Sequence, residues 1–236
     1  MPFMKEEMKG APATETNPGA GISRRRFLNY AGLTGAGMLL ASSCKKDDDD
    51  VAEPVNDGTV ALGSGDTGLL NYAFVLEQLE AAFYEKVCTA FYADITDHEK
   101  AYFFDLRAHE QAHREFFRNV LGANAIPDLE FDFSSVNFSD RMSVLIAAKE
   151  MEDIGVAAYN GAGRLIIVPE NLALAAKIVS VEARHAAYLR NMLAYNSFSD
   201  TADGNGVDLE MAPTDVLSAI SKYLKTQVSA KNLPKF

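Results

Sequence analysis

Between about residues 66 and 196, apolar residues recur every three or four positions in four long runs separated by polar and turn-forming residues. That period is the signature of one face of an α-helix. Helix 1 is predicted from Asp66 or Thr67 to Ala93, with Ala73, Glu77, Glu80, Tyr84 and Cys88 on a single face. Helix 2 is predicted to begin after Thr96-Asp97, where Thr96 can cap and Glu99 stands three residues on, as in a capping box. It carries Phe103, Leu106, Glu110, His113 and Phe117 and stops before Gly122. A long connection at 123–138, with Pro127, Asp132, Phe133 and Asn137, has the length of a crossover running along a bundle. Helix 3 is predicted to start after Ser139 or Asp140, to align Leu145, Ala148, Glu152, Val156 and Tyr159, and to end between Gly163 and Ile167. Pro169-Glu170 opens helix 4, because proline lacks a donor that the first turn does not need. Helix 4 carries Ile178, Glu182, His185 and Leu189 to about Asn196.

A Gly/Asp-rich loop at 197–212 follows, then a short fifth helix from Pro213 or Thr214 with Val216, Leu217, Ile220 and Leu224 as its docking stripe. The predicted fold class is therefore all-α. Its core is an antiparallel four-helix bundle over 67–198, with the long connection between helices 2 and 3. Residues 199–236 are the polar loop and C-terminal docking helix.

The first 43 residues carry no such period. Residues 23–28 read Ser-Arg-Arg-Arg-Phe-Leu, an apolar stretch runs from Tyr30 to Ala41, and small residues lead to Cys44. A basic block, an apolar run and small residues, in that order, are the layout of an export signal. The apolar run is too short for a membrane-spanning helix. The block at 23–28 resembles a twin-arginine signal, so 1–43 is expected to be a signal peptide. Cys44 resembles a lipoprotein attachment site, and Lys45-Lys46 with Asp47 to Asp50 resembles the charged tether behind a lipidated cysteine. The alternative is an ordinary cleaved signal that leaves Cys44 free. Residues 44–66 are expected to be a flexible acidic tether. The expected location is exported, on the periplasmic or outer surface side, with the membrane reached only through a lipid on Cys44.

Charge narrows the partners. Of 22 basic and 33 acidic residues, 5 and 3 lie in 1–43, which leaves the remainder at a net −13. Such a chain is not expected to bind nucleic acid or an anionic membrane surface. With Cys44 lipidated, Cys88 has no partner, and no disulfide framework is predicted.

The candidate chemistry lies in an internal repeat. Glu77 is followed seven residues later by Tyr84, and Glu152 seven residues later by Tyr159. Glu110-Gln-Ala-His113 is matched by Glu182-Ala-Arg-His185, each with Arg-Asn at the same offset, at 118–119 and 190–191. Residues three apart project from one helix face, so each Glu-x-x-His can grip one ion. Two such helices supply four ligands, and Glu77 and Glu152 make six. Each of the six lies in the apolar stripe of its own helix. Six inward-facing side chains of this kind, unpaired with cations, would be untenable. Carboxylate and imidazole ligands suit iron or manganese, so two divalent ions are expected.

Nearby groups are ranked by phase. Glu80 also faces inward and is open to three roles: extra ligand, proton relay, or partner of an Arg or His. Glu77 ranks ahead of it because only Glu77 repeats the spacing to tyrosine. Glu150 lies roughly 200° around the helix from Glu152, which places it in solvent or at a subunit contact. His109 falls one position off the ligand stripe and is expected at the surface or on the flank of the site, not as a ligand. Tyr84 and Tyr159 are expected either to donate to ligand carboxylates or simply to fill the core. Cys88 is expected to be a buried small hydrophobe.

On these residues the chain resembles the ferritin-like superfamily, and more narrowly the exported ferritin-like domain family related to desiccation-related proteins. The segments Leu79–Tyr84 and Glu152–Tyr159 carry the likeness, which spans about 68–195. It implies metal ligation by Glu77, Glu110, His113, Glu152, Glu182 and His185. It does not imply one activity; the leading expectation, from the ligand set, is redox chemistry on peroxide, dioxygen or ferrous iron, of peroxidase, catalase or ferroxidase type, with no catalytic residue beyond the ligands. The alternative is a non-catalytic, metal-stabilised envelope lipoprotein that binds metal or protein. The expected partners are a small oxidant or a metal ion, with a homodimer as the candidate assembly.

Overall fold

The computed structural model describes residues 58–235. The expected signal at 1–43, Cys44 and the first part of the tether lie outside the described residues. Strand β1 is Val60–Ala61 and strand β2 is Val228–Ser229. The helices are α1 (Gly65–Thr89), α2 (Asp97–Leu121), α3 (Arg141–Gly163), α4 (Pro169–Leu193) and α5 (Pro213–Ile220). α1 packs along α2 and α3 along α4; α1 and α3 join the two pairs, and α5 docks on α3. The result is the all-α bundle with a short fifth helix that the apolar periodicity predicts.

Local chemistry sets the helix ends. Thr96 and Glu99 form the reciprocal capping box of α2, and Gly122 ends that helix with φ 54°, a conformation that suits glycine. Asp140 caps α3 by accepting from Ser143 N–H. α4 has Pro169 in its first turn and no cap from its own neighbours. Asp66 of α1 substitutes: its carboxylate accepts from the backbone N–H of Ile167 and Val168 and from the Asn171 amide. α1 stops at Thr89 and not Ala93, and the chain then turns through Asp94 at φ 60°. α4 stops at Leu193 and not Asn196, which itself has φ 70°.

The connection at 125–140 runs along α1. Asn71 and Gln78, two turns apart on α1, supply the hydrogen bonds that this irregular backbone lacks. Asn71 accepts from Ile126 N–H and donates to the Asn124 carbonyl; Gln78 accepts from Leu129 N–H and donates to the Pro127 carbonyl. Farther along α1, Phe83 meets Phe133 and Phe138, each with centroids 5.7 Å apart. Phe74, Leu79, Phe83, Phe103, Leu106, Leu145 and Leu189 are fully buried around this frame.

The end of the expected tether is not free. β1 pairs in parallel with β2, Val60 opposite Val228 and Ala61 opposite Ser229, and Leu62 is fully buried. Asn71 also donates to the Leu62 carbonyl. An apolar Val-Ala-Leu run within a polar segment had somewhere to go, and its partner strand lies far away in sequence. Residues 60–62 therefore belong to the folded domain.

The loop after α4 folds back over α3. Met211 N–H donates to the Ala157 carbonyl at 2.9 Å, and the Asn160 amide donates to the Leu209 carbonyl at 3.0 Å. The approach is so close that a Cβ at Gly161 would stand 2.0 Å from the Met211 carbonyl oxygen. Val216 and Ile220 of α5 are fully buried, with Leu217 and Leu224 partly so. Among the described residues no helix is long and apolar enough to cross a membrane.

Candidate metal centre

Each of the four long helices brings one or two polar side chains into an otherwise apolar interior. Glu77 comes from α1, Glu110 and His113 from α2, Glu152 from α3, and Glu182 and His185 from α4. The four glutamates are fully buried, His185 nearly so, and the His113 side chain keeps 15% exposure. Ligand atoms of Glu77, Glu110, His113 and Glu182 lie within 4.8 Å of one another, as do those of Glu110, Glu152, Glu182 and His185. Glu110 and Glu182 belong to both groups. All six residues singled out in the sequence therefore converge, in two overlapping sets of four.

The imidazoles face the carboxylates through Nδ1. His113 Nδ1 is 3.0 Å from Glu182, 3.2 Å from Glu110 and 3.3 Å from Glu77. His185 Nδ1 is 2.9 Å from Glu110 and 3.3 Å from Glu152. Yet His185 Nδ1 and Glu110 Oε1 make no hydrogen bond, so the approach is close without donor alignment. Glu77 Oε2, Glu152 Oε2 and both oxygens of Glu182 are likewise buried without a hydrogen-bond partner. Buried polar atoms are nearly always paired. Six orphaned atoms aimed at one another form a donor set of the kind that divalent cations satisfy, so these residues fit such ions.

The tyrosines of the repeat cross between helices. Tyr84 on α1 donates to Glu152 Oε1 at 2.6 Å, and Tyr159 on α3 donates to Glu77 Oε1. Each tyrosine thus orients the lone glutamate of the opposite half. They are buried and also pack in the core, so both roles open in the sequence are filled together.

Glu80 is buried beside the cluster but belongs to neither group of converging atoms. Its carboxylate fits because position 155 is glycine: a Cβ there would lie 3.1 Å from Glu80 Oε1 and 3.8 Å from Glu182 Oε2. Five buried carboxylates now face two imidazoles, and the electrostatics follow. Burial pushes Glu77 up to about 7 against the pull of His113. Burial, then the charges of Glu182 and Glu152, hold Glu80 well above the usual carboxylate range. Burial and the neighbouring Glu110 and Glu77 do the same to Glu182. Glu110 is the exception: burial opposes its charge, but the hydrogen bond with His113 and the close charges of both histidines bring it down to about 2. Burial alone would lower His185, yet Glu152 and Glu110 raise it to about 11.

Other expectations resolve simply. Glu150 points away and binds Lys222 at 2.7 Å. Cys88 is half-buried, donates to the Phe103 carbonyl, and has its thiol pushed up to about 11 by burial. The repeated arginines diverge: Arg118 meets Asp128 at the surface, whereas Arg190 is buried between Asp153 and Asp200. His109 is exposed, as expected, but its Nδ1 lies 2.9 Å from Nε2 of His185. That contact is invisible in the phase of a single helix, because it depends on how α2 and α4 approach each other.

Four helices of one bundle thus bring together two sets, each of three carboxylates and one histidine, with Glu110 and Glu182 in common. The ferritin-like domain family model matches residues 65–195, a span that coincides with α1 to α4, and the chain belongs to that family. No curated protein matches the chain.

Proposed function

We propose that the bundle binds two divalent metal ions, iron or manganese, and performs redox chemistry on peroxide, dioxygen or ferrous iron at the cell envelope. The observation that carries this reading is the sharing of Glu110 and Glu182 between two sets of converging ligand atoms. One buried set of four would suit a structural ion; two sets with Glu110 and Glu182 in common would hold a pair of ions. Such ions supply one-electron cycling and positions for a small oxidant. The chain supplies the rest. Glu110 and Glu182 neutralise charge between the two halves, Tyr84 and Tyr159 hold Glu152 and Glu77 in orientation, and the apolar shell keeps bulk water out. Export through a twin-arginine-type signal and a lipid on Cys44 are part of this proposal.

The test is metal content and stoichiometry of protein purified from its own cells, followed by hydrogen peroxide turnover by the loaded protein. Two ions per chain and turnover lost in His113→Ala are expected; absence of bound metal after purification overturns the reading.

A second reading, a non-catalytic envelope lipoprotein that binds metal or protein, draws on a cavity that stands apart from the ligand cluster. A cavity of about 400 Å³ lies beside α3 and α4, lined by Ile154, Ala157, Ala183 and Ala186 among others, and it touches none of the six ligand candidates. Metal-loaded protein inert toward both peroxide and oxygen would favour this reading.

A further inference from the structure

The repeat that builds the centre is broken at two positions. The offset from Glu110 to Glu182 equals that from His113 to His185, and the same step carries His109 to Val181. The offset from Glu77 to Glu152 equals that from Tyr84 to Tyr159, and it carries Glu80 to Gly155. His185 therefore has a polar neighbour at a place where the repeat gives His113 only a valine. Glu80 leans over Gly155 beside Glu182, at a place where α3 offers no carboxylate in return.

His109 acts on His185 through the ring proton. A neutral imidazole carries one N–H and one lone pair, and whichever nitrogen donates leaves the other free to ligate. His109 Nδ1 is 2.9 Å from His185 Nε2, with the two rings within 17° of parallel. If His109 keeps its own proton on Nε2, its Nδ1 accepts from His185 Nε2–H. The lone pair of His185 is then fixed on Nδ1, the atom that faces Glu110 and Glu152. The Tyr102 hydroxyl, which donates to the His185 carbonyl at 3.0 Å, further ties that turn of α4 to α2.

We infer that His109 is a positioning residue that selects the ligating tautomer of His185 and makes the two halves of the centre unequal. The half formed by Glu110, Glu152, Glu182 and His185 fills first and holds its ion more tightly than the half formed by Glu77, Glu110, Glu182 and His113. This inference rests on the two-metal reading and concerns the order of loading, on which that reading is silent. Partners that orient a ligating histidine contribute about 10- to 100-fold to metal affinity, which sets the size of the expected inequality.

The experiment is a titration of metal-free full-length protein with Co²⁺, followed by calorimetry and by the visible absorption of the bound ion. Wild type is expected to show two separated steps at least tenfold apart in Kd. His109→Phe should weaken the tighter step by about 10- to 100-fold and leave the weaker step unchanged. His109→Gln, whose amide oxygen can accept in place of Nδ1, should restore the separation. In zinc-loaded protein the His185 Nε2–H proton should exchange slowly by NMR, and this protection should disappear in His109→Phe. Two ions bound with equal affinity in wild type, or a shift in only the weaker step on removing His109, overturns the inference and leaves the two-metal reading intact. No binding of Co²⁺ at all overturns both.

Discussion

Tyr84 on α1 donates its hydroxyl to Glu152 on α3 across 2.6 Å, a bond made between two halves of the chain that repeat each other. Its counterpart runs the other way, from Tyr159 on α3 to Glu77 on α1. The pair crosses the seam between the helix hairpins and fixes the lone glutamate of each. Removing one donor strands a buried carboxylate oxygen. Tyr84→Phe is expected to lower the stability of metal-free protein by about 1–3 kcal/mol in urea unfolding. An unchanged midpoint would mean that the tyrosine serves only as packing.

The acidity of the cluster predicts an unusual pH profile for metal-free protein. Burial raises Glu77 to about 7, and Glu80 and Glu182 are raised as well. A carboxyl whose folded pKa is raised contributes stability that is present below its unfolded pKa and lost as pH rises through the folded value. His185, raised to about 11, acts with the same sign. The melting temperature without metal should therefore fall between pH 5 and pH 8. Bound divalent ions require the deprotonated ligands, so stabilisation by Mn²⁺ should grow over the same interval. Differential scanning calorimetry with and without Mn²⁺ measures both slopes, and a flat metal-free profile would contradict the assignment.

Asp66 ties the start of α1 to the turn between α3 and α4. Slight burial works against its charge, but the hydrogen bonds from Ile167, Asn171 and Val168 hold its carboxyl below the usual value. Its contribution is present above the ordinary aspartate pKa and is lost as pH falls through the lowered folded value. Asp66→Ala should cost about 1–2 kcal/mol at neutral pH. At acid pH low enough to protonate the wild-type carboxyl as well, that difference should shrink. Chemical denaturation at the two pH values distinguishes this from a pH-independent effect of the substitution on α1.

Gly161 admits the backbone of Met211 against α3. Alanine there would place its Cβ on a carbonyl oxygen, so the segment at 197–212 must lift away. Gly161→Ala is expected to cost about 1–3 kcal/mol through overpacking and to expose that segment to limited proteolysis. Retained resistance at 197–212 would show that the helix shifts and the loop stays.

The sequence displayed what is periodic and local. Four helices, the Thr96–Glu99 capping box and the Asp140 cap all follow from spacing within a few residues. The convergence of Glu77, Glu110, His113, Glu152, Glu182 and His185 was legible because the repeat marked the same face twice. Pairings set by distance in space were not legible. β1 and β2 are two residues each and meet from opposite ends of the described chain, too short and too far apart to leave a pattern. The contact of His109 with His185 depends on the approach of α2 to α4. One signal was available: all four histidines of the chain, at 98, 109, 113 and 185, sit on these two helices.

The short parallel pairing of β1 with β2 also has a mechanical meaning. Val60 N–H binds the Gln227 carbonyl and Leu62 N–H binds the Ser229 carbonyl, while the Leu62 side chain is buried behind them. Tension applied through the residues that precede Gly58 reaches these bonds before it reaches α1. The clasp therefore sets where the leading segment joins the fold: at the β1–β2 pairing, ahead of the first turn of α1.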